Sequence, residues 1–219
     1  ALSLVAERGA VLRVAPVAAS AGGGVLGRAL RSPANSPANS HDGSSGLANR
    51  VRRTSAAPRR ALQSSAGAAL IALSARLPVR LEGLTLLGAD AAPALVTSAA
   101  ALSILRCTFA NNTAEGAVRI ERGSVHVAES VFESNSAPDG RGGAISVAGG
   151  GQLVLRDSTF SGNSARWGGA LHVRGNTSSA EMVACTILYN TADSAGGGIA
   201  TDDGGNILMS NRTLLRGNA

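Results

Sequence analysis

The chain contains no lysine; its 20 basic residues are all arginine. Lysine is the common guard of exposed strand edges, and we read its absence as a bias towards GC-rich codons. Aromatic residues are almost as scarce, with three Phe, one Trp and one Tyr in 219 residues. A core built from this chain must therefore consist of small and branched aliphatic side chains. Two cysteines, Cys107 and Cys185, are too few for a disulfide framework. No uninterrupted apolar run reaches the length of a membrane span, and no N-terminal export signal is recognisable. The chain begins at Ala1 without a methionine and reads as a fragment or a processed product, so the missing signal does not decide localisation.

Glycine is plentiful at 28 residues, and hydrophobic residues make up 44%. Together with scarce aromatics, this composition suits many tight turns between short aliphatic strands. An internal repeat supplies the order. Four stretches align, beginning at Cys107, Ser130, Ser158 and Cys185, and a fifth begins at Thr213. Each carries an asparagine, at Asn112, Asn135, Asn163, Asn190 and Asn218, spaced by 23, 28, 27 and 28 residues. Three residues before each asparagine stands an apolar residue: Phe109, Phe132, Phe160, Ile187 and Leu215. A second anchor, Gly-Gly-Ala-aliphatic, occupies Gly142–Ile145 and Gly168–Leu171, with shorter or altered versions at Gly116–Val118 and Gly196–Ile199.

Within each repeat the apolar period is two, which is the strand period. Leu153 and Leu155 share a face, as do Ser158 and Phe160, and Leu171 and Val173. The parity slips at Arg156–Asp157, marking a bend, and the glycine clusters mark further corners. Three short strands and three corners in about 27 residues predict one coil of an all-β parallel solenoid. A propeller blade needs four strands and about 40 residues or more. Stacked coils lie about 4.8 Å apart, so equivalent side chains form ladders along the axis.

This pattern predicts a β-helix over 66–219, with its clear repeats in 102–219. Leu4–Val14 is compatible with an N-terminal coil inside 1–30. Residues 31–65 carry a duplicated Ser-Pro-Ala-Asn, a polar turn cluster and an arginine run, and read as a disordered loop or linker. The net charge of +6 would normally raise nucleic acid as a partner. Most of it sits in that segment, at Arg31, Arg50, Arg52, Arg53, Arg59 and Arg60 against Asp42, which argues against nucleic acid.

The alternating Phe-Ala-Asn-Asn, Phe-Glu-Ser-Asn and Phe-Ser-Gly-Asn segments, each followed by a Gly-Gly-Ala-Ile variant, resemble the FxxN and GGAI repeats of the chlamydial polymorphic outer membrane proteins. The resemblance covers Leu102–Ala219. It implies a right-handed parallel β-helix of the pectate-lyase-like superfamily, displayed outside the cell and engaged in adhesion. No C-terminal barrel with aromatic girdles is visible.

Candidate sites are few. The asparagines read as a structural ladder, because asparagine adopts the left-handed conformation and caps turns with its amide. The Phe109, Phe132, Phe160, Ile187 and Leu215 column reads as core. Asp202–Asp203 is the single acidic pair. It is the weak alternative site for lyase or hydrolase chemistry, which needs clustered carboxylates, although a solvated turn is the default for a pair beside glycines. Alternation points Asp202 outward, in a column with Glu121, Ala148 and Arg174, beside Arg119, Ser146, His172 and Ala200. His41, His126 and His172 read as scattered surface histidines. Asn111, Asn176 and Asn211 open glycosylation sequons, with Asn176 favoured by its polar corner. Trp167 and Tyr189 stand at corners, where they shield an edge of the core or stack on a sugar. Cys107 and Cys185 share one inward slot three coils apart and are expected as free, buried thiols. No catalytic, cofactor or metal residue is assigned. The expectation is a non-catalytic surface-exposed or secreted module for adhesion, glycan binding or scaffolding, whose partner is a cell-surface or matrix glycan or protein. A carbohydrate-active lyase or hydrolase and a structural spacer are the alternatives.

Overall fold

The computed structural model describes residues 69–219 except Ala75, together with the backbone of the strands Leu4–Ala6, Leu12–Val14 and Ala61–Gln63. The chain winds into an all-β solenoid of about 5 turns and ~27 residues per turn. One turn shows the plan. Gln152–Arg156 belongs to a first sheet, Thr159–Ser161 to a second and Leu171–Arg174 to a third. Each pairs in parallel with its counterpart in the coil before and the coil after. Each of the three sheets has seven strands.

A fourth, three-stranded sheet was not expected. Ser136–Arg141, Ser164–Trp167 and Thr191–Ala195 lie side by side in the corner between the asparagine and the Gly-Gly pair. Its sequence does not alternate apolar with polar residues, so period-two reading passes over it. In the coil of Asn112 the corner runs directly to Gly116 and forms no strand.

The bends follow a rule of one residue each. Arg106, Glu129, Asp157 and Ala184 have φ between 47° and 53°, directly before the Cys107, Ser130, Ser158 and Cys185 slot. Asn111, Ser134, Gly162, Tyr189 and Gly217 have φ between 52° and 63°, directly before the asparagine. The left-handed residue is thus the neighbour of the ladder asparagine and not the asparagine itself. A single left-handed residue turns the strand, and the next residue then points inward.

Pointing inward, the asparagines use every polar atom of the amide. Asn135 Oδ1 accepts the backbone N–H of Asn112 at 3.2 Å and its Nδ2 at 2.8 Å. Asn135 Nδ2 in turn donates to Phe109 O at 3.0 Å and Asn163 Oδ1 at 2.9 Å. The pattern continues through Asn163 and Asn190 to Asn218. Asn112, Asn135, Asn163 and Asn190 are wholly buried, which full hydrogen bonding permits.

Beside this ladder, Phe109, Phe132 and Phe160 stack with ring centroids 4.8 and 4.7 Å apart and planes within 3°. Ile187 continues the column, buried. Leu215 is in register with Ile187 but 43% exposed, because it has a stacked neighbour on one side only. The Gly-Gly corners are fixed by close backbone approach: a Cβ on Gly143 would lie 2.3 Å from Ser164 O, and one on Gly169 2.1 Å from Gly197 O.

At the other end, Leu4–Ala6 and Leu12–Val14 pair antiparallel with Val79–Glu82 and Ile71–Leu73. They edge the first and third sheets but do not continue the parallel winding expected of a coil. Ala61–Gln63, inside the segment read as a loop, pairs in parallel with Thr85–Leu87. The rest of 1–30 and of 31–65 lies outside the described residues. Among the described residues, no helix is long and apolar enough to cross a membrane.

Candidate functional site

The third sheet turns one face to the core and the other outward. Parallel register places Arg119, Ser146, His172 and Ala200 in one outward column. Arg174 stands opposite Asp202 in the next column. The corner carrying the fourth sheet stands beside this face, and between them lies a cleft of about 460 Å³. Glu115, Arg119, Asp139, Arg141, Ser146 and Arg174 line it.

The cleft is a set of ion pairs. Arg119 meets Glu115 at 2.7 Å, Arg174 meets Asp203 at 2.6 Å, and Arg141 reaches across to Asp202 at 3.4 Å. Arg141 also lies over the Trp167 ring, 4.8 Å from its centroid, with Arg166 at 4.4 Å. Trp167 thus holds guanidinium groups by cation–π attraction and is only half-buried. Tyr189 does not shield the core: it is 60% exposed, lying against Gly217.

His172 departs most from expectation. It is 1% exposed and not a surface histidine, although its column faces outward. Its Nε2 lies 3.7 Å from Asp202 Oδ1, too far for a hydrogen bond. Burial pushes its pKa below the ordinary value, with the cations of Arg141 and Arg174 acting in the same direction and Asp202 and Asp203 opposing. The ring is therefore neutral at neutral pH. His172 Nδ1, Arg141 Nε and Asp202 Oδ1 are all buried without a hydrogen bond to another protein group. One signal was available in the sequence, since the lengthened corner before Gly142 and Gly168 stands over this column. His126 is exposed, and His41 lies outside the described residues.

Asp202 and Asp203 do not form a carboxylate pair. Asp202 faces Arg141, Arg174 and His172, whereas Asp203 faces Arg174. Among the described residues, no three His, Cys, Asp or Glu side chains gather where they could hold a metal ion. Asn111, Asn176 and Asn211 are exposed, but the Ser178 hydroxyl of the Asn176 sequon is buried and accepts Gly150 N–H at 3.1 Å. Cys107 and Cys185 are free and buried, and burial pushes both thiols up in pKa.

The profile of a family described as the right handed beta helix region matches residues 79–219. That stretch is more than half of the chain and contains both the column and the cleft. The chain belongs to the right-handed β-helix family. No curated protein and no solved structure matches it. The right-handed β-helix family includes enzymes such as pectate lyases as well as non-enzymes, so membership leaves the chemistry of the cleft to its own residues.

Proposed function

We propose that this right-handed β-helix is a non-catalytic binding module, acting at a cell surface or in the extracellular space, whose ligand site is the cleft beside the fourth sheet. One observation carries the reading. Three guanidinium groups, Arg119, Arg141 and Arg174, converge on one cleft, and carboxylates or an aromatic ring hold each in place. Side chains fixed in this way lose little freedom on binding, which favours recognition. Placement outside the cell is supported by the resemblance of the repeats to those of the polymorphic outer membrane proteins.

A lyase or hydrolase is the second reading, and Asp202 beside His172 favours it. Hydrolysis by paired carboxylates needs one raised pKa and one free base, whereas here each aspartate meets a cation. A glycan array probed with the purified chain, followed by product analysis of the glycans it retains, separates the readings. Micromolar retention with intact glycans is expected. Shortened or unsaturated products lost on Asp202→Asn/Asp203→Asn substitution, with the fold intact, would establish the enzyme. No retention at all would leave a structural spacer.

A further inference from the structure

We infer that the cleft selects a neutral, hydroxyl-rich saccharide over a polyanion; this rests on the reading of the cleft as a ligand site. The argument is one of donors and acceptors. The Arg119–Glu115, Arg174–Asp203 and Arg141–Asp202 pairs have side chains between 35% and 59% exposed. Each therefore presents N–H donors and carboxylate acceptors side by side to the solvent. A sugar hydroxyl accepts from the first and donates to the second at once, so vicinal hydroxyls lie across such a pair without breaking it.

A carboxylate, sulfate or phosphate only accepts. At the free N–H groups of Arg119 or Arg174 it would lie beside the like charge of Glu115 or Asp203, and Asp139 in the same cleft adds to that repulsion. The cleft thus lacks the single-sign field that attracts a charged polymer. The unsatisfied atoms point the same way. Arg141 Nε is a donor and Asp202 Oδ1 an acceptor, each sealed without a hydrogen bond. A hydroxyl matches one group of each kind, whereas an anion matches only the donor. The cleft volume of about 460 Å³ falls among ordinary ligand pockets.

The test is calorimetry on the full 219-residue chain with xylohexaose, cellohexaose and galactohexaose against hexagalacturonate and a heparin hexasaccharide. Binding of at least one neutral oligomer is expected, with Kd changing less than about twofold between about 50 and 500 mM NaCl. Arg141→Gln and Glu115→Gln should each weaken it about tenfold or more, as removal of a charged hydrogen-bonding partner does, with unchanged far-ultraviolet circular dichroism. Binding confined to the anionic oligomers, steeply salt-dependent and lost in Arg141→Gln, would overturn the ligand class and leave the cleft as the site. Neutral-oligomer binding that both variants retain would overturn the cleft as the site, and with it the inference and the reading it rests on. No binding by any neutral oligomer also overturns the inference.

Discussion

Asn163 shows how much one side chain does in this fold. Its Oδ1 accepts two hydrogen bonds from Asn135, and its Nδ2 donates to Phe132 O and Asn190 Oδ1. Asn163→Ala removes the acceptor for two buried N–H groups, each of which costs about 1–3 kcal/mol when left unpaired. Asn218 makes the same contacts on one side but is half-buried, so Asn218→Ala is expected to cost clearly less in urea denaturation. Phe160→Ala, which opens a gap in the ring stack, is expected to cost about 3–5 kcal/mol. His172 provides the pH dependence. Its pKa is lowered on folding from an ordinary 6.5, so the unfolded chain binds the proton at higher pH than the folded one. The contribution of neutral His172 is therefore fully present above pH 6.5 and is lost as pH falls below it towards the folded pKa. Thermal melts between about pH 7 and pH 5 should show a smaller drop in Tm for His172→Gln than for the parent chain. An equal drop in both would show that the histidine is not the group responsible.

At the level of strands and corners, the three main sheets were legible because alternation and the asparagine spacing agree over five repeats. The outward column Arg119, Ser146, His172, Ala200 was legible for the same reason, and strand register reproduces it. The cleft was not. Its second wall is the fourth sheet, whose strands Ser136–Arg141 and Ser164–Trp167 lack an apolar face, so no periodic signal announces them. Without that wall, His172 counts as a surface residue and Arg141 has no Asp202 to meet. The polar slot of Ser130 and Ser158 was also read only for its size. Each hydroxyl in fact accepts the backbone N–H of the preceding coil's slot residue: Ser130 Oγ from Cys107 at 3.1 Å and Ser158 Oγ from Ser130 at 3.2 Å. The corners allow a paired prediction. At Gly162, φ is +60° but a Cβ meets nothing closer than 3.8 Å, and Asn111, Ser134 and Tyr189 fill the same position in other coils. Gly162→Asn should change stability by less than about 1 kcal/mol, since asparagine tolerates the left-handed region. Gly169→Ala places a Cβ 2.1 Å from Gly197 O and 2.4 Å from Thr191 O. It should cost several-fold more in the same denaturation series, and equal effects would mean that the corner backbone yields where close packing says it cannot.

For the molecule as a whole, a solenoid differs from a globule in that each coil touches only its neighbours, so stability is close to a sum of coil and interface contributions. Among the described residues the coil of Leu208–Leu215 is the least covered, with Leu208, Met209, Leu214 and Leu215 between 43% and 60% exposed. Opening should therefore begin there and travel towards the middle. The two cysteines report on that order. Strand register places Cys107 and Cys185 in one column with Ser130 and Ser158 between them. At about 4.8 Å per coil, their Cα atoms lie about 14 Å apart, twice the reach of a disulfide. Both thiols are buried and raised in pKa by burial, so labelling in the native protein should be slow at both positions. Cys185 lies next to that exposed coil and donates its N–H to Thr213 Oγ1 at 3.4 Å, whereas Cys107 donates to the buried Ser130 at 3.1 Å. In urea below the main transition, mass spectrometry should find Cys185 alkylated before Cys107. Simultaneous labelling would mean that the coils open as one cooperative unit, and earlier labelling of Cys107 would place the weak point at the N-terminal end. An intramolecular disulfide in the native chain would contradict the stacking order itself.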